Sequence, residues 1–399
     1  MKKILLVTLD FWPRVGGMAN YYFNLCKRLD TGEIFVLTNR MSRGESGIKN
    51  HDLGKDFNFK IYRKKLLWKF IWPQWLGMFW HIWRVIKKEK IEMIWVGEVL
   101  PTGTAVYFLT KILKLPYIVS CHGNDLLQAK KNPRKRKLAE RILAGAKLVT
   151  VNSKFTGKIV KDFEVDEGNV KVIYPGINIK NKELRINNQE DLLKKYDLYN
   201  KRILFSIGRL VARKGFDKVI RALPKVWKEI PSLIYVVAGT GSEELGLKKL
   251  ARQITNIKLQ VPGKSQIPNF KYEHKVVFLG EISDEEKWAW LSACDVFITT
   301  AQESDDDVEG FGIVYLEAAL AGKAVIAGNC GGAMEAVVNG ETGILVNAEN
   351  VDEISGAIVK LFKDERLAKA MGEKGKLRVE EEFRWERSVK KFKEAMEDI

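Results

Sequence analysis

Short apolar runs alternate with helix-period stretches along nearly the whole chain. In the first half, Lys3 to Leu9, Glu33 to Thr38, Met93 to Val96, Tyr117 to Ser120 and Leu148 to Asn152 have strand length and are bounded by polar or turn residues. In the second half the matching runs are Ile203 to Ile207, Leu233 to Ala238, Val276 to Leu279, Val296 to Thr300 and Ala324 to Ala327. Strands alternating with amphipathic helices predict parallel sheets covered on both faces, and there are enough strands for two of them. The polar stretch 180–189 (KNKELRINNQ) has no apolar face and reads as the linker. The expected architecture is α/β: two Rossmann-like, doubly wound domains, residues 1–180 and 190–382, facing each other across a cleft. A last helix, about residues 383–399, is expected to pack back on the first domain. Residues 256–274, with two prolines where a short connection would suffice, read as a surface insertion.

Composition narrows the class. A 399-residue chain is too long for one ordinary core, and a hydrophobic share of 46% beside 29% charged residues is that of a globular protein. No apolar run is long enough to span a bilayer, and MKKILLVTLD reads as a buried first strand rather than a leader. Cys26, Cys121, Cys294 and Cys330 are far apart and form no zinc spacing, so the expectation is a reduced, cytoplasmic protein. The net charge of +17 lies in one half: residues 1–180 hold 33 Lys and Arg against 15 Asp and Glu. That half is built to face a polyanion.

The densest chemistry is VEGFGIVYLEAA, residues 308–319. Glu309 sits in a turn punctuated by Gly310 and Gly312, and Glu317 lies in a helix that runs from Ile313 to Leu320 and stops at Gly322. The free amides at such a helix start favour a phosphate, while carboxylates on either side accept hydrogen bonds from hydroxyls, a pairing that suits a sugar nucleotide. Upstream, IGRLVARKGFD sets Arg209 and Lys214 past the carboxyl end of a strand, where cations neutralise a diphosphate. Gly16 and Gly17 precede a helix from about Met18 to Leu29, and Gly239 and Gly241 follow the next strand; at both places backbone can approach a ligand. Gly331, Gly332 and Glu335 repeat the arrangement around Glu309. His122 follows a strand, in a loop with Asn124 and Asp125. The run Asp305, Asp306 and Asp307 invites a metal, but with Arg209 and Lys214 supplying positive charge it reads as solvated.

In this order, these motifs resemble the family 4 retaining glycosyltransferases, which have the GT-B fold. The resemblance covers Gly16-Gly17, His122-Gly123, Tyr174 to Asn178, Gly208-Arg209, Lys214-Gly215, Glu309 to Glu317, Asn339-Gly340 and Thr342-Gly343. Within the family, ARKG, DVEGFGIVYLEA and VIAGNCGGAMEAV look most like GDP-mannose-dependent mannosyltransferases acting on phosphatidylinositol mannosides. The resemblance implies that Arg209 and Lys214 hold the donor diphosphate and that Glu317 takes the ribose hydroxyls. It implies that Glu309 and the amides of Phe311, Gly312, Ile313 and Val314 contact sugar and phosphates. His122 would touch the transferred hexose, with Gly16 and Gly17 over the diphosphate. Met334 stands where the family usually has proline, and Gly123-Asn124-Asp125 follows His122 where an acid is usual. No metal or other cofactor is expected.

A retaining glycosidase uses two facing carboxylates, and the first half offers no nucleophile opposite Glu309, so front-face substitution is expected. The rivals are a UDP-sugar-dependent enzyme with a soluble acceptor, a nucleotide-sugar epimerase or a phosphorylase, and a nucleic-acid-binding protein, for which no recognition module is present. Residues 61–90 interleave five tryptophans with cations. After Pro73, Trp75, Phe79, Ile82 and Ile86 share a helix face suited to the core, whereas Arg63 to Trp72 suits the interface of an anionic bilayer. The expectation is a peripheral enzyme at the inner face of the cell membrane, with a lipid-linked or glycan acceptor.

Overall fold

The computed structural model describes residues 2–14, 16–29, 33–40, 57–68, 70, 72–179, 189–255, 275–303, 307–397 and 399. Residues 180–188 of the expected linker 180–189, the insertion 256–274, and Asp305 and Asp306 lie outside the described residues. The chain divides into two units, Met1–Gly176 with Arg384–Ile399, and Ile177–Phe383.

In the first unit the strands are β1 (Ile4–Thr8), β2 (Ile34–Asn39), β3 (Lys60–Lys64), β4 (Met93–Val96), β5 (Tyr117–Cys121), β6 (Leu148–Val151) and β7 (Val170–Val172). The helices are α1 (Gly17–Arg28), α2 (Leu76–Glu89), α3 (Thr102–Leu113), α4 (Asn124–Lys130), α5 (Pro133–Ala144) and α6 (Lys154–Lys161). All strand pairs are parallel, in the order β3-β2-β1-β4-β5-β6-β7. Alternate residues of β1 feed opposite cores: Leu5 and Val7 pack with Met78, Ile82 and Leu109 of α2 and α3. Ile4 and Leu6 pack with Tyr22 and Leu25 of α1. Trp385, Val389 and Phe392 join that second core, so the C-terminal helix belongs to the first unit.

The second unit holds α7 (Gln189–Lys195), β8 (Arg202–Ile207), α8 (Phe216–Glu229), β9 (Leu233–Ala238), α9 (Glu244–Thr255), β10 (Val276–Gly280), α10 (Asp284–Ala293) and β11 (Val296–Thr299). It continues with α11 (Ile313–Leu320), β12 (Ala324–Gly328), α12 (Ala333–Ala336), β13 (Gly343–Val346), α13 (Val351–Lys363) and α14 (Glu365–Glu382). The C-terminal helix of the first unit is α15 (Trp385–Glu397). The second sheet has the order β10-β9-β8-β11-β12-β13 and is again parallel. Both sheets are doubly wound, and each reverses direction beside its first strand, between β1 and β4 and between β8 and β11. Ligands of open α/β sheets bind outside the carboxyl ends of the strands at such a reversal. No helix among the described residues is long and apolar enough to cross a membrane.

The ten expected strands are present within a residue or two. Three others, β3, β7 and β13, escape the sequence pattern, and all three lie at sheet edges. An edge strand is not covered on both sides; β3 leaves Lys60 and Lys64 exposed and so shows no continuous apolar run. This also corrects the reading of Arg63 to Trp72 as one interfacial segment, because Arg63 and Lys64 belong to β3. Arg63 Nη2 donates to the Trp12 carbonyl at 2.5 Å. Trp68 packs its indole where Gly77 of α2 has no side chain.

Candidate functional site

In the second unit the site residues follow β8 and β11, on either side of the reversal. The turn after β8 carries Lys214 and Arg213, and the loop after β11 returns Glu309 to them. Lys214 Nζ donates to Glu309 Oε2 at 2.5 Å and Arg213 Nη1 to the same oxygen at 2.8 Å. Arg213 also pairs with Asp307 at 2.9 Å. Burial works against the Glu309 charge, but Lys214 and Arg213 outweigh it and hold the carboxyl below its ordinary range. Glu309 is therefore a carboxylate at neutral pH, with both cations on one of its oxygens. An ammonium has three hydrogens, so Lys214 keeps donors beyond the one given to Glu309. Arg209 is exposed in the same turn.

Gly312 caps α11 with φ of +85°, a conformation that side chains rarely adopt, and a Cβ there would strike the ring of Tyr315. Ile313 and Val314 follow as its first residues, where backbone N–H groups have no intrahelical acceptor. Phe311 is buried against Phe383, with ring centroids 5.6 Å apart. Glu317, one turn further on, accepts from Lys287 Nζ of α10 at 2.7 Å. Burial lowers the pKa of Lys287, but Glu317 and Asp284 outweigh it and raise it overall.

The remaining glycines divide by what surrounds them. A Cβ at Gly239 or Gly241 would lie 2.0 Å from the Gly208 carbonyl or 2.3 Å from that of Leu210, so these glycines let two loop backbones pack together. Gly332, likewise, lies against Gly310 and donates its N–H to the Glu309 carbonyl at 2.8 Å. The Gly331-Gly332 loop thus supports the Glu309 turn from behind. Gly16 and Gly17 differ: nothing lies within 4 Å of a Cβ at either, at the start of α1.

In the first unit, His122 follows β5 and its Nε2 is 2.6 Å from the Tyr22 hydroxyl of α1. Burial pushes its pKa down to about 4, so it is neutral at pH 7. The reversal of this sheet holds a buried carboxyl absent from the sequence reading. Glu98, just past β4, accepts from the Thr8 hydroxyl at 2.5 Å, the Leu9 N–H at 2.9 Å and the Thr102 hydroxyl at 2.8 Å. It ties the start of the Gly16-Gly17 loop to the start of α3. Burial pushes its pKa up to about 7 despite those donors. Arg213, Lys287, Tyr22 and Glu98 were all missed. Only Arg213 carried a sequence signal, its place beside Lys214.

Residues 188–378 match the model for glycosyl transferases group 1, and residues 15–181 match that for glycosyltransferase family 4. The chain belongs to the family 4 glycosyltransferases. The enzyme is 27% identical, over 97% of its length and 96% of the relative's, to the GDP-mannose-dependent alpha-(1-6)-phosphatidylinositol monomannoside mannosyltransferase of Mycobacterium tuberculosis. It is 26% identical to the Corynebacterium glutamicum enzyme that acts on the monoacylated form, covering 96% of the chain and 95% of that relative. Among solved structures, Anabaena HepE with UDP-glucose superposes with a TM-score of 0.79 at 20% identity, covering both chains fully. Sucrose-phosphate synthase of Thermosynechococcus elongatus gives 0.81 at 19%, over 100% and 99% of the two chains. These likenesses establish the GT-B fold. The glycosyltransferase is a hexosyltransferase. Among its described residues no three His, Cys, Asp or Glu side chains cluster to hold a metal.

Proposed function

We propose that this enzyme transfers mannose, with retention, from GDP-mannose to a lipid-linked acceptor at an anionic membrane surface. The single observation that carries the reading is the cation pair closed on Glu309 beside the α11 start, which provides for a diphosphate and a sugar at once. The mannosyl preference rests on the relatives' named activity. Arg209, Lys214 and the amides of Phe311 to Val314 receive the diphosphate, and the family resemblance assigns Gly16 and Gly17 to the same group. Glu309 Oε1 and His122 accept from sugar hydroxyls, and Glu317 accepts from the ribose.

In the reaction, the bond from the anomeric carbon to the diphosphate breaks as an acceptor oxygen bonds to the same face. The acceptor's proton passes to the departing diphosphate oxygen. Glu309 is a poor nucleophile, because two cations already hold one of its oxygens. Stabilising the leaving group is the protein's main contribution, and one such donor is worth about 3 to 4 kcal/mol. No metal is needed in this scheme.

For the membrane, Phe70 and Trp72 of the first unit are 96% and 90% exposed, and Trp80 and Trp83 of α2 are 47% and 43% exposed. A groove of about 560 Å³ between Trp68, Leu76, Phe79, Trp80 and Trp83 adjoins them. Exposed Lys64, Lys65, Arg84, Lys87 and Lys88 lie close by in the chain. Aromatic rings among cations suit an anionic lipid interface, with each cation contributing about 1 kcal/mol.

The test is mannosyl transfer from GDP-mannose to lipid extracts, with UDP-glucose and UDP-N-acetylglucosamine in parallel, and co-sedimentation with vesicles. Transfer from GDP-mannose and binding to anionic vesicles that salt weakens are expected. Transfer from a UDP-sugar alone would overturn the donor, and equal binding to neutral vesicles, or none to anionic ones, would point to a soluble acceptor.

A further inference from the structure

Tyr22 sits in the middle of α1, fully buried, with its hydroxyl between two partners: the Gly97 carbonyl at 2.5 Å and His122 Nε2 at 2.6 Å. A phenol has one hydrogen to give, and a carbonyl has none. If Tyr22 gave its hydrogen to His122, two buried oxygens would lie 2.5 Å apart with nothing between them, and the Gly97 carbonyl would lose this donor. The hydrogen therefore belongs to the Gly97 contact, and His122 Nε2 must itself carry a hydrogen and donate to the phenol oxygen.

The rest of the surroundings keeps the ring in this pose. Tyr21 and Tyr22 meet the imidazole edge-on, with centroids 5.2 and 5.3 Å away. The His122 backbone N–H donates to Asp125 Oδ1 at 3.0 Å, fixing the loop to the first turn of α4. The ring is neutral at pH 7, so a hydrogen on Nε2 leaves none on Nδ1. His122 is half-buried; its hydrogen bonds run from Nε2 and the backbone N–H, and Nδ1 is not among the fully buried atoms left without a partner, so Nδ1 is open to a ligand.

We infer that Tyr22 is a positioning residue that locks His122 as the Nε2–H tautomer and presents Nδ1 as a hydrogen-bond acceptor for a hydroxyl of the transferred hexose. The hexose contact rests on the proposed function; the tautomer lock does not. The consequence is a polarity rule: the sugar must offer a hydrogen to His122, and a donor analogue with that hydroxyl deleted or methylated is discriminated against at this contact.

The test is long-range nitrogen–proton NMR on the full chain with labelled histidine. In the wild type, His122 should show a protonated Nε2 and an unprotonated Nδ1 throughout the neutral pH range. A protonated Nδ1 or a charged ring would overturn the inference, and this spectrum needs no variant to fold. Tyr22→Phe should mix the tautomers and lower kcat about tenfold, the scale of one hydrogen bond. An unchanged tautomer in that variant would also overturn it. His122→Asn, whose Oδ1 stands near the place of Nδ1, should keep more turnover than His122→Gln, whose amide reaches the place of Nε2; the reverse order would remove the acceptor role. If the lock is observed but no nucleotide sugar is turned over, the functional reading fails and the lock stands.

Discussion

The two units share one strand order, to which the first adds an edge strand, and hold their polar groups in opposite ways. In the second, charge is held by charge: Lys214 and Arg213 on Glu309, and Lys287 on Glu317. In the first, titratable groups are buried among neutral donors and acceptors: Glu98 under two threonine hydroxyls and an amide, His122 against Tyr22. Glu98 and Glu309 each follow a strand that flanks a reversal of strand order, β4 and β11, so topology is not the cause of the difference. Ion pairs keep Glu309 charged at neutral pH, as a site for a charged ligand would require, whereas burial keeps His122 uncharged. A substitution in the second unit should therefore act through an uncompensated charge, and one in the first through a proton.

The largest effect is expected at Lys214. Lys214→Ala should lower turnover about a hundred- to a thousandfold by removing a leaving-group donor. It also leaves Glu309 with one cation fewer, a loss of up to about 3 to 5 kcal/mol for a buried pair. Adding Glu309→Ala should recover stability without recovering activity, and urea unfolding beside a transfer assay separates the two. If the double variant is no more stable than the single one, charge compensation does not govern this unit.

Glu98 sharpens the contrast. Its carboxyl rises from an ordinary 4.5 to about 7 on folding, so the folded state binds the proton more tightly. Stability is then highest at low pH, falls as pH rises through that window, and levels off above it. The shift corresponds to about 3 kcal/mol. Glu98→Gln should flatten the pH dependence of the urea midpoint, and a midpoint falling just as steeply in the variant would refute burial as the cause. Glu317→Ala comes next, with GDP affinity weaker by about tenfold in calorimetry, the scale of a charge-assisted hydrogen bond. The smallest effect concerns metal: activity should survive exhaustive chelation, and Asp307→Asn should be mild. Restoration of a chelated enzyme by Mg²⁺ or Mn²⁺ would make the aspartate run a metal site.

The same contrast explains what was legible in the sequence. That Lys214 and Glu309 belong to one cluster was readable because charged residues stand out beside glycines at strand ends, and the central strands were readable because burial on both faces leaves unbroken apolar runs. Glu98 and Tyr22 were not, since one Glu after a strand and one Tyr in an amphipathic helix look like surface and core until the fold joins residues 8, 98 and 102, or 22, 97 and 122. Lys287 meets Glu317 from thirty residues away. Gly239 and Gly241 were read as ligand-facing, whereas each also has a packing reason to be glycine, invisible until the Gly208 to Leu210 backbone lies against it.

The most direct measurement is calorimetric titration of GDP and UDP into the wild type, Arg209→Ala, Lys214→Ala, Glu317→Ala and His122→Asn. The account predicts tighter binding of GDP than of UDP, losses of about tenfold or more in the three second-unit variants, and near wild-type GDP affinity for His122→Asn. Unchanged affinity in all three second-unit variants would contradict the assignment of the donor to the charged unit.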